Sequence, residues 1–86
     1  MFRLWGKIIK SNHLIKDAVI ERDDDTRTRR IFGAIDELCM QWDLGRPIWL
    51  DSNISDFKKH SKTRFYKDSF IETIDFDYME IQVIEE

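Results

Sequence analysis

The sequence predicts an α+β fold for a single domain that spans residues 1–86. The predicted sheet is small and antiparallel or mixed, with an N-terminal hairpin, a C-terminal strand and two helices packed on one face. Two observations support this prediction. Apolar and polar residues alternate near both ends of the chain, as they do in strands with one buried face. Between these ends, apolar residues recur at steps of three and four, which is the period of a helix that buries one side.

The first strand and its hairpin are predicted from Phe2–Ile9, where apolar residues alternate with Arg and Lys. Gly6 interrupts this run, which indicates a bulge or a close approach of another part of the chain. The polar segment Lys10–His13 follows, and Asn12 tolerates the positive φ of a tight turn. Leu14–Glu21 then supplies the second strand, so the two runs predict a hairpin.

The first helix is predicted to begin near Thr26, which follows the three acids Asp23–Asp25. A hydroxyl at this position caps free N–H groups, and negative charge interacts favourably with the helix dipole. Gly45 is expected to end the helix, with Pro47 preventing its continuation. The buried stripe is expected to contain Ile31, Ile35, Leu38 and Trp42.

The second half of the chain is less regular. Ile48–Leu50 is predicted to form either a short strand or a buried connector. Asp51, Ser52 and Asn53 are alternative caps for a second helix, and Asn53 with Asp56 resembles a capping box. Thr63–Ser69 has no clear pattern. Met79–Val83 alternates and predicts the last strand, which could also form an edge open to pairing with another chain.

Charge is unevenly distributed along the chain. The net charge is −3, but residues 44–70 carry six positive and three negative groups, whereas residues 71–86 carry six negative groups and none positive. No apolar run is long enough to span a membrane, and the N-terminus lacks the pattern of a signal peptide. The single cysteine, Cys39, gives no sign of an oxidising compartment. We therefore expect a cytoplasmic protein with no membrane partner.

No catalytic residue, metal site or cofactor is predicted. His13, Cys39 and His60 are far apart in sequence and none has a second ligand at metal-binding spacing. Phosphate-binding glycine motifs are absent. The least favoured hypothesis is an enzyme that uses Asp75, Asp77 or His60, because two acids at i and i+2 share one side of a strand.

A basic segment supports a second hypothesis, nucleic-acid binding. Cationic side chains next to aromatic rings can hold phosphates and stack bases. The isoelectric point near 5.3 is low for a dedicated nucleic-acid binder. The candidate contacts are Lys58, Lys59, Lys62, Arg64, Phe65, Tyr66 and Lys67.

The favoured hypothesis is a small non-enzymatic interaction module that binds a protein partner or forms a homodimer. Three tryptophans are many for 86 residues. If Trp5 and Trp49 lie with Ile9 on the second face of the sheet, they form an apolar patch that a partner or a second copy covers.

Four strings in the sequence resemble a group of small bacterial proteins whose function is uncharacterised. These strings are RLWGKI near the start, PIWLD at 47–51, DFKKHSKTRF at 56–65 and IDFDYMEIQVIEE at 74–86. The resemblance covers nearly the whole chain and implies a complete, freestanding bacterial cytoplasmic protein. It assigns no role to any individual residue.

Overall fold

The computed structural model describes residues 1–86 and has a four-stranded antiparallel sheet with two α-helices, so the predicted α+β fold is confirmed. The strand order across the sheet is β2-β1-β4-β3. A short 3₁₀ turn, Lys67–Ser69, precedes the last strand. The elements are β1 (Phe2–Lys10), β2 (His13–Arg22), α1 (Arg27–Gln41), α2 (Asp51–His60), β3 (Lys62–Phe65) and β4 (Tyr78–Glu85).

The N-terminal hairpin forms as predicted. Ser11 and Asn12 form its two-residue turn, with φ angles of 52° and 65°. Two successive positive φ angles give the turn a twist that matches the twist of the flanking strands. Gly6 meets the predicted close approach, because a Cβ at this position would overlap the side chain of Leu38 from α1.

Helix α1 begins as predicted and ends earlier than predicted. The Thr26 hydroxyl accepts a hydrogen bond from the backbone N–H of Arg29 at 3.2 Å. At the other end, the left-handed position belongs to Asp43, with a φ of 53°, and not to Gly45. The N–H of Leu44 then donates to the carbonyl of Cys39 at 2.9 Å, which closes the helix end. Aspartate tolerates this conformation, so glycine is not needed.

The segment before α2 is a connector and not a strand. Residues 46–50 have no regular structure, and the Ile48 N–H donates to the carbonyl of Ser69 at 2.7 Å. The fourth strand follows α2, at Lys62–Phe65, where no strand was assigned from the sequence. The last strand is also not at an edge, because β4 lies between β1 and β3.

Both helices pack on the same face of the sheet. The strands contribute alternate residues to this face, among them Leu4, Ile8, Phe65 and Ile81, which are fully or almost fully buried. Helix α1 covers β1 and β2, and α2 covers β3. The opposite face has no helix against it and is called the open face below. Neither helix is long and apolar enough to cross a membrane.

Candidate functional site

The outer edge of β2 carries unpaired backbone groups. The bond from the Val83 N–H to the Ser61 carbonyl, at 2.9 Å, fixes which β4 residues face β3 and which face β1. The alternation continues through the two further antiparallel registers between their bulges, over Leu4–Ile9 where β1 pairs with β4 and over Phe2–Ile8 where β1 pairs with β2. It directs the N–H and C=O groups of Asp17, Val19 and Glu21 away from β1, toward solvent. We call these three residues the open edge.

The opposite edge of the sheet is short and partly closed. Strand β3 has four residues, and the carbonyl of Arg64 points outward from it. The side-chain amide of Asn53, on α2, donates to this carbonyl at 2.8 Å and to the Thr63 hydroxyl at 2.9 Å. Its carbonyl oxygen accepts from the Leu50 N–H at 2.9 Å. Asn53 is therefore the cap of the β3 edge as well as a residue of the first turn of α2.

Trp5 lies on the open face beside the open edge. It is the cross-strand neighbour of Val19, and its indole N–H donates to the carboxylate of Asp17 at 2.8 Å. The ammonium of Lys7 lies 3.8 Å from the centroid of the Trp5 ring. Val19 remains 47% exposed next to this tryptophan. The open edge is thus lined on this side by an oriented aromatic ring and an exposed aliphatic side chain.

A buried carboxylate occupies the centre of the open face. Glu80, on β4, is only 6% exposed and accepts from Lys7 at 2.7 Å and from Arg64 at 2.9 Å. Burial alone would raise the pKa of Glu80, but the hydrogen bonds from Lys7 and Arg64 outweigh it and lower the pKa. The Arg64 guanidinium also lies 4.6 Å from the centroid of the Tyr78 ring. Lys7, Glu80 and Arg64 therefore form a set of paired charges on this part of the open face, which is called the ionic layer below.

The structure separates the three residues of the predicted apolar patch. Trp5 and Ile9 lie half-buried on the open face. Trp49 lies on the helix side, where its ring meets those of Phe57 and Phe65 at centroid distances of 5.4 and 5.2 Å. Since Phe65 is fully buried between the sheet and the helices, Trp49 belongs to the core side and not to the patch.

The basic segment is divided among three elements. Lys58 and Lys59 end α2, Lys62 and Arg64 lie on β3, and Lys67 begins the 3₁₀ turn. Of the five, only Arg64 forms an ion pair with a carboxylate.

The two aromatic residues of this segment differ in exposure. Phe65 has no exposed surface and cannot stack on a base, which corrects the prediction for this residue. Tyr66 is 50% exposed and packs beside Tyr78 at a centroid distance of 5.5 Å. Only Tyr66 therefore keeps a ring that a ligand could reach.

The three residues of the enzyme hypothesis do not come together. His60 lies next to Ser61, which pairs with Val83, whereas Asp77 precedes β4 at its other end. Six residues of extended chain separate these positions by roughly 20 Å. Asp77 instead accepts from the N–H of Ser11 at 2.8 Å and fastens the hairpin turn.

Asp75 lines the largest cleft of the molecule, of about 710 Å³. This cleft lies between the hairpin and the end of α1, and Lys10, Lys16 and Trp42 also line it. No three His, Cys, Asp or Glu side chains cluster closely enough to hold a metal ion.

The open edge was missed from the sequence. The sequence feature that could have indicated it is the group of apolar residues on β2. In the fold, Leu14, Ile15 and Val19 are all about half exposed. A strand pattern alone does not reveal which strand is outermost, because strand order depends on contacts between distant segments.

Comparison with protein-family models, with curated proteins and with solved structures finds no significant match for this chain.

Proposed function

We propose that this chain is a small, non-enzymatic, cytoplasmic interaction module that binds an extended strand along the open edge of β2. The single observation that supports the proposal is the row of outward backbone groups on a strand of ten residues. Unpaired strand edges of this length are templates for another strand. In such complexes the main-chain hydrogen bonds supply affinity, and alternate side chains supply specificity.

The contrast between the two edges favours β2 as the binding strand. The β3 edge is short, and Asn53 caps its Arg64 carbonyl. On β2, no hydrogen bond from outside the sheet reaches the outward groups of Asp17, Val19 and Glu21. Trp5 and Val19 add an apolar surface beside these groups, which an incoming side chain would cover.

The test selects binders from a library of random linear peptides displayed against the full chain. We expect selected peptides to slow hydrogen exchange at the amides of Asp17, Val19 and Glu21. Val19→Pro removes one outward donor without breaking the β1–β2 ladder, and should weaken each peptide about tenfold. The matched control is Val19→Thr, which keeps the N–H and the β-branch and should bind nearly as tightly. Peptides that bind Val19→Pro as well as the unsubstituted chain would overturn the proposal.

A second candidate function, nucleic-acid binding, is favoured by one observation. Lys58, Lys59, Lys62 and Lys67 are exposed and have no carboxylate partner, and Tyr66 lies next to them in sequence. Cations without partners are free to bind phosphates.

Fluorescence anisotropy with a labelled single-stranded oligonucleotide tests this second function. The logarithm of the affinity should fall linearly with that of the salt concentration, with a slope of about −0.7 for each phosphate contacted. Lys62→Gln should reduce this slope, whereas Lys10→Gln, on the hairpin, should not. The absence of binding at low salt contradicts this candidate.

A further inference from the structure

We infer that the strand bound at the open edge is β2 of a second copy of this chain, paired antiparallel about a two-fold axis that passes beside Ala18. This inference rests on the proposed function and specifies its partner. A two-fold axis perpendicular to the sheet brings the same edge of both copies together and joins the two sheets into one. The position of this axis along β2 determines which residues of the two strands face each other, so each register is named by the residue on the axis.

The outward backbone groups restrict the registers. Asp17, Val19 and Glu21 point outward, and hydrogen bonds form only where an outward residue faces an outward residue of the other strand. The axis must then pass at a residue of β2 itself and not between two residues. Registers that keep the open edge paired are centred on Asp17, Ala18, Val19 or Ile20.

Like charges within β2 disfavour two of these four registers, and a third leaves Asp17 without a residue of β2 opposite it. With the axis at Asp17, that carboxylate faces its own copy. With the axis at Val19, Asp17 faces Glu21 of the second copy. With the axis at Ile20, Asp17 lies opposite Asp23, which follows the end of β2 at Arg22. Like charges directly opposite each other destabilise a strand pair.

The register centred on Ala18 contains no like-charge pair along the strand. Asp17 then faces Val19 of the second copy, and Lys16 faces Ile20. Both charged residues of this stretch therefore lie opposite apolar ones, and the comparison stops at Ile15, where a bulge in β2 interrupts the alternation of side chains. The side chain of Val19, which is 47% exposed, is partly covered as a result.

Ala18 also suits the position on the axis sterically. Its backbone groups face Gly6 of β1, so the two copies of Ala18 form a pair without mutual hydrogen bonds. In such pairs the Cα atoms are about 4.5 Å apart, closer than in hydrogen-bonded pairs. Two methyl groups fit this spacing, and Ala18 is only partly buried within one chain.

A cysteine at the axis gives a direct test. A Cα separation of about 4.5 Å lies within the range that a disulfide spans. In a chain carrying Cys39→Ala, we expect Ala18→Cys to form a covalent dimer in a glutathione buffer and Val19→Cys to remain largely monomeric. The amides of Asp17 and Val19 in the unsubstituted chain should exchange more slowly as its concentration rises to about 1 mM.

The outcomes separate this inference from the proposed function. Preferential cross-linking of Val19→Cys would show a different register and overturn the inference. A chain that stays monomeric by sedimentation, with concentration-independent exchange at Asp17 and Val19, overturns self-pairing even if selected peptides bind the open edge. Dimerisation that Val19→Pro leaves unchanged overturns both, because the open edge would then not be the binding surface.

Discussion

Glu80 lies at the centre of the open face between a cation from β1 and a cation from β3. Its carboxylate is buried and accepts a charge-assisted hydrogen bond from each of these two cations. Both hydrogen bonds are lost if the acid is removed. Glu80→Gln should lower the free energy of unfolding at neutral pH by about 1–3 kcal/mol. Urea unfolding followed by circular dichroism measures this difference.

The control for Glu80 is Glu21→Gln on the same face. Glu21 accepts from Arg3 at 2.9 Å, but both side chains are about half exposed. Exposed ion pairs contribute less than about 1 kcal/mol, so this variant should unfold near the unsubstituted chain. Equal losses for the two variants would mean that burial does not strengthen the Glu80 contacts.

Cys39 is a buried thiol at the end of α1, with its sulfur 3.8 Å from the carbonyl of Gly45. Burial, and then the nearby charge of Asp36, raise its pKa to about 11. Since the thiolate is the reactive form, iodoacetamide at pH 8 should modify the folded chain about a hundredfold more slowly than the urea-unfolded chain. Comparable rates in the two states would contradict this prediction.

At the scale of elements, Asn53 joins α2 to β3. Asn53→Asp keeps the shape of the side chain but replaces its amide donor with an oxygen that faces the Arg64 carbonyl. We expect a loss of about 1–3 kcal/mol in the free energy of unfolding at neutral pH. Ser52→Ala, at an exposed position of the same helix, serves as the control and should change stability by less than about 0.5 kcal/mol.

The packing of α1 on β1 depends on the absence of a side chain at Gly6. A Cβ there would overlap Leu38, which is fully buried and has little room to move. Gly6→Ala should destabilise the fold by about 1–3 kcal/mol in a thermal or urea melt. Adding Leu38→Val should reduce the cost of Gly6→Ala, since the two residues are in contact. Additive costs in the double variant would show that the overlap is relieved elsewhere.

At the scale of the whole molecule, acid should unfold the chain through its paired carboxylates. Hydrogen bonds from Arg22 and Arg27 lower the pKa of Asp24 and of Glu86, and the pKa of Glu80 is lowered by its two partners despite burial. A carboxyl with a lower pKa in the folded state binds fewer protons there than in the unfolded chain. The stability it contributes is complete above the unfolded pKa of about 4 and is lost as pH falls through the folded pKa.

Urea midpoints measured between about pH 6 and about pH 2 should therefore decrease on acidification. The decrease should be smaller in Glu80→Gln, which lacks one of the three groups. A midpoint that stays constant over this range would contradict the link between these ion pairs and stability.

Local signals predicted much of the fold. Thr26 caps α1 and Asn12 forms the hairpin turn as expected, because both effects depend on neighbouring residues alone. Strand β3 could not be assigned, since four residues are too short for alternation to be recognised and its charged positions face the ionic layer. Its pairing with β4 joins segments that are distant in sequence.

The candidate site was less predictable than the fold. Trp5 and Ile9 lie on the open face as the patch hypothesis required, but Trp49 does not, because the connector that carries it crosses the helix side of the sheet. The direction of the outward groups of β2 follows from the pairing of β3 with β4, of β4 with β1 and of β1 with β2. None of these pairings can be predicted from the residues of β2 alone.

The difference between the two sheet edges determines how far an assembly of this chain can extend. A subunit with two reactive ends adds further subunits at both ends and forms fibres, as other sheets with free edges do. Here the two ends differ, because β2 exposes its outward groups whereas β3 has only four residues and the amide of Asn53 occupies its Arg64 carbonyl. If the chains pair at β2 as proposed, the longer free edge of both subunits is used, and we expect the assembly to stop at two chains.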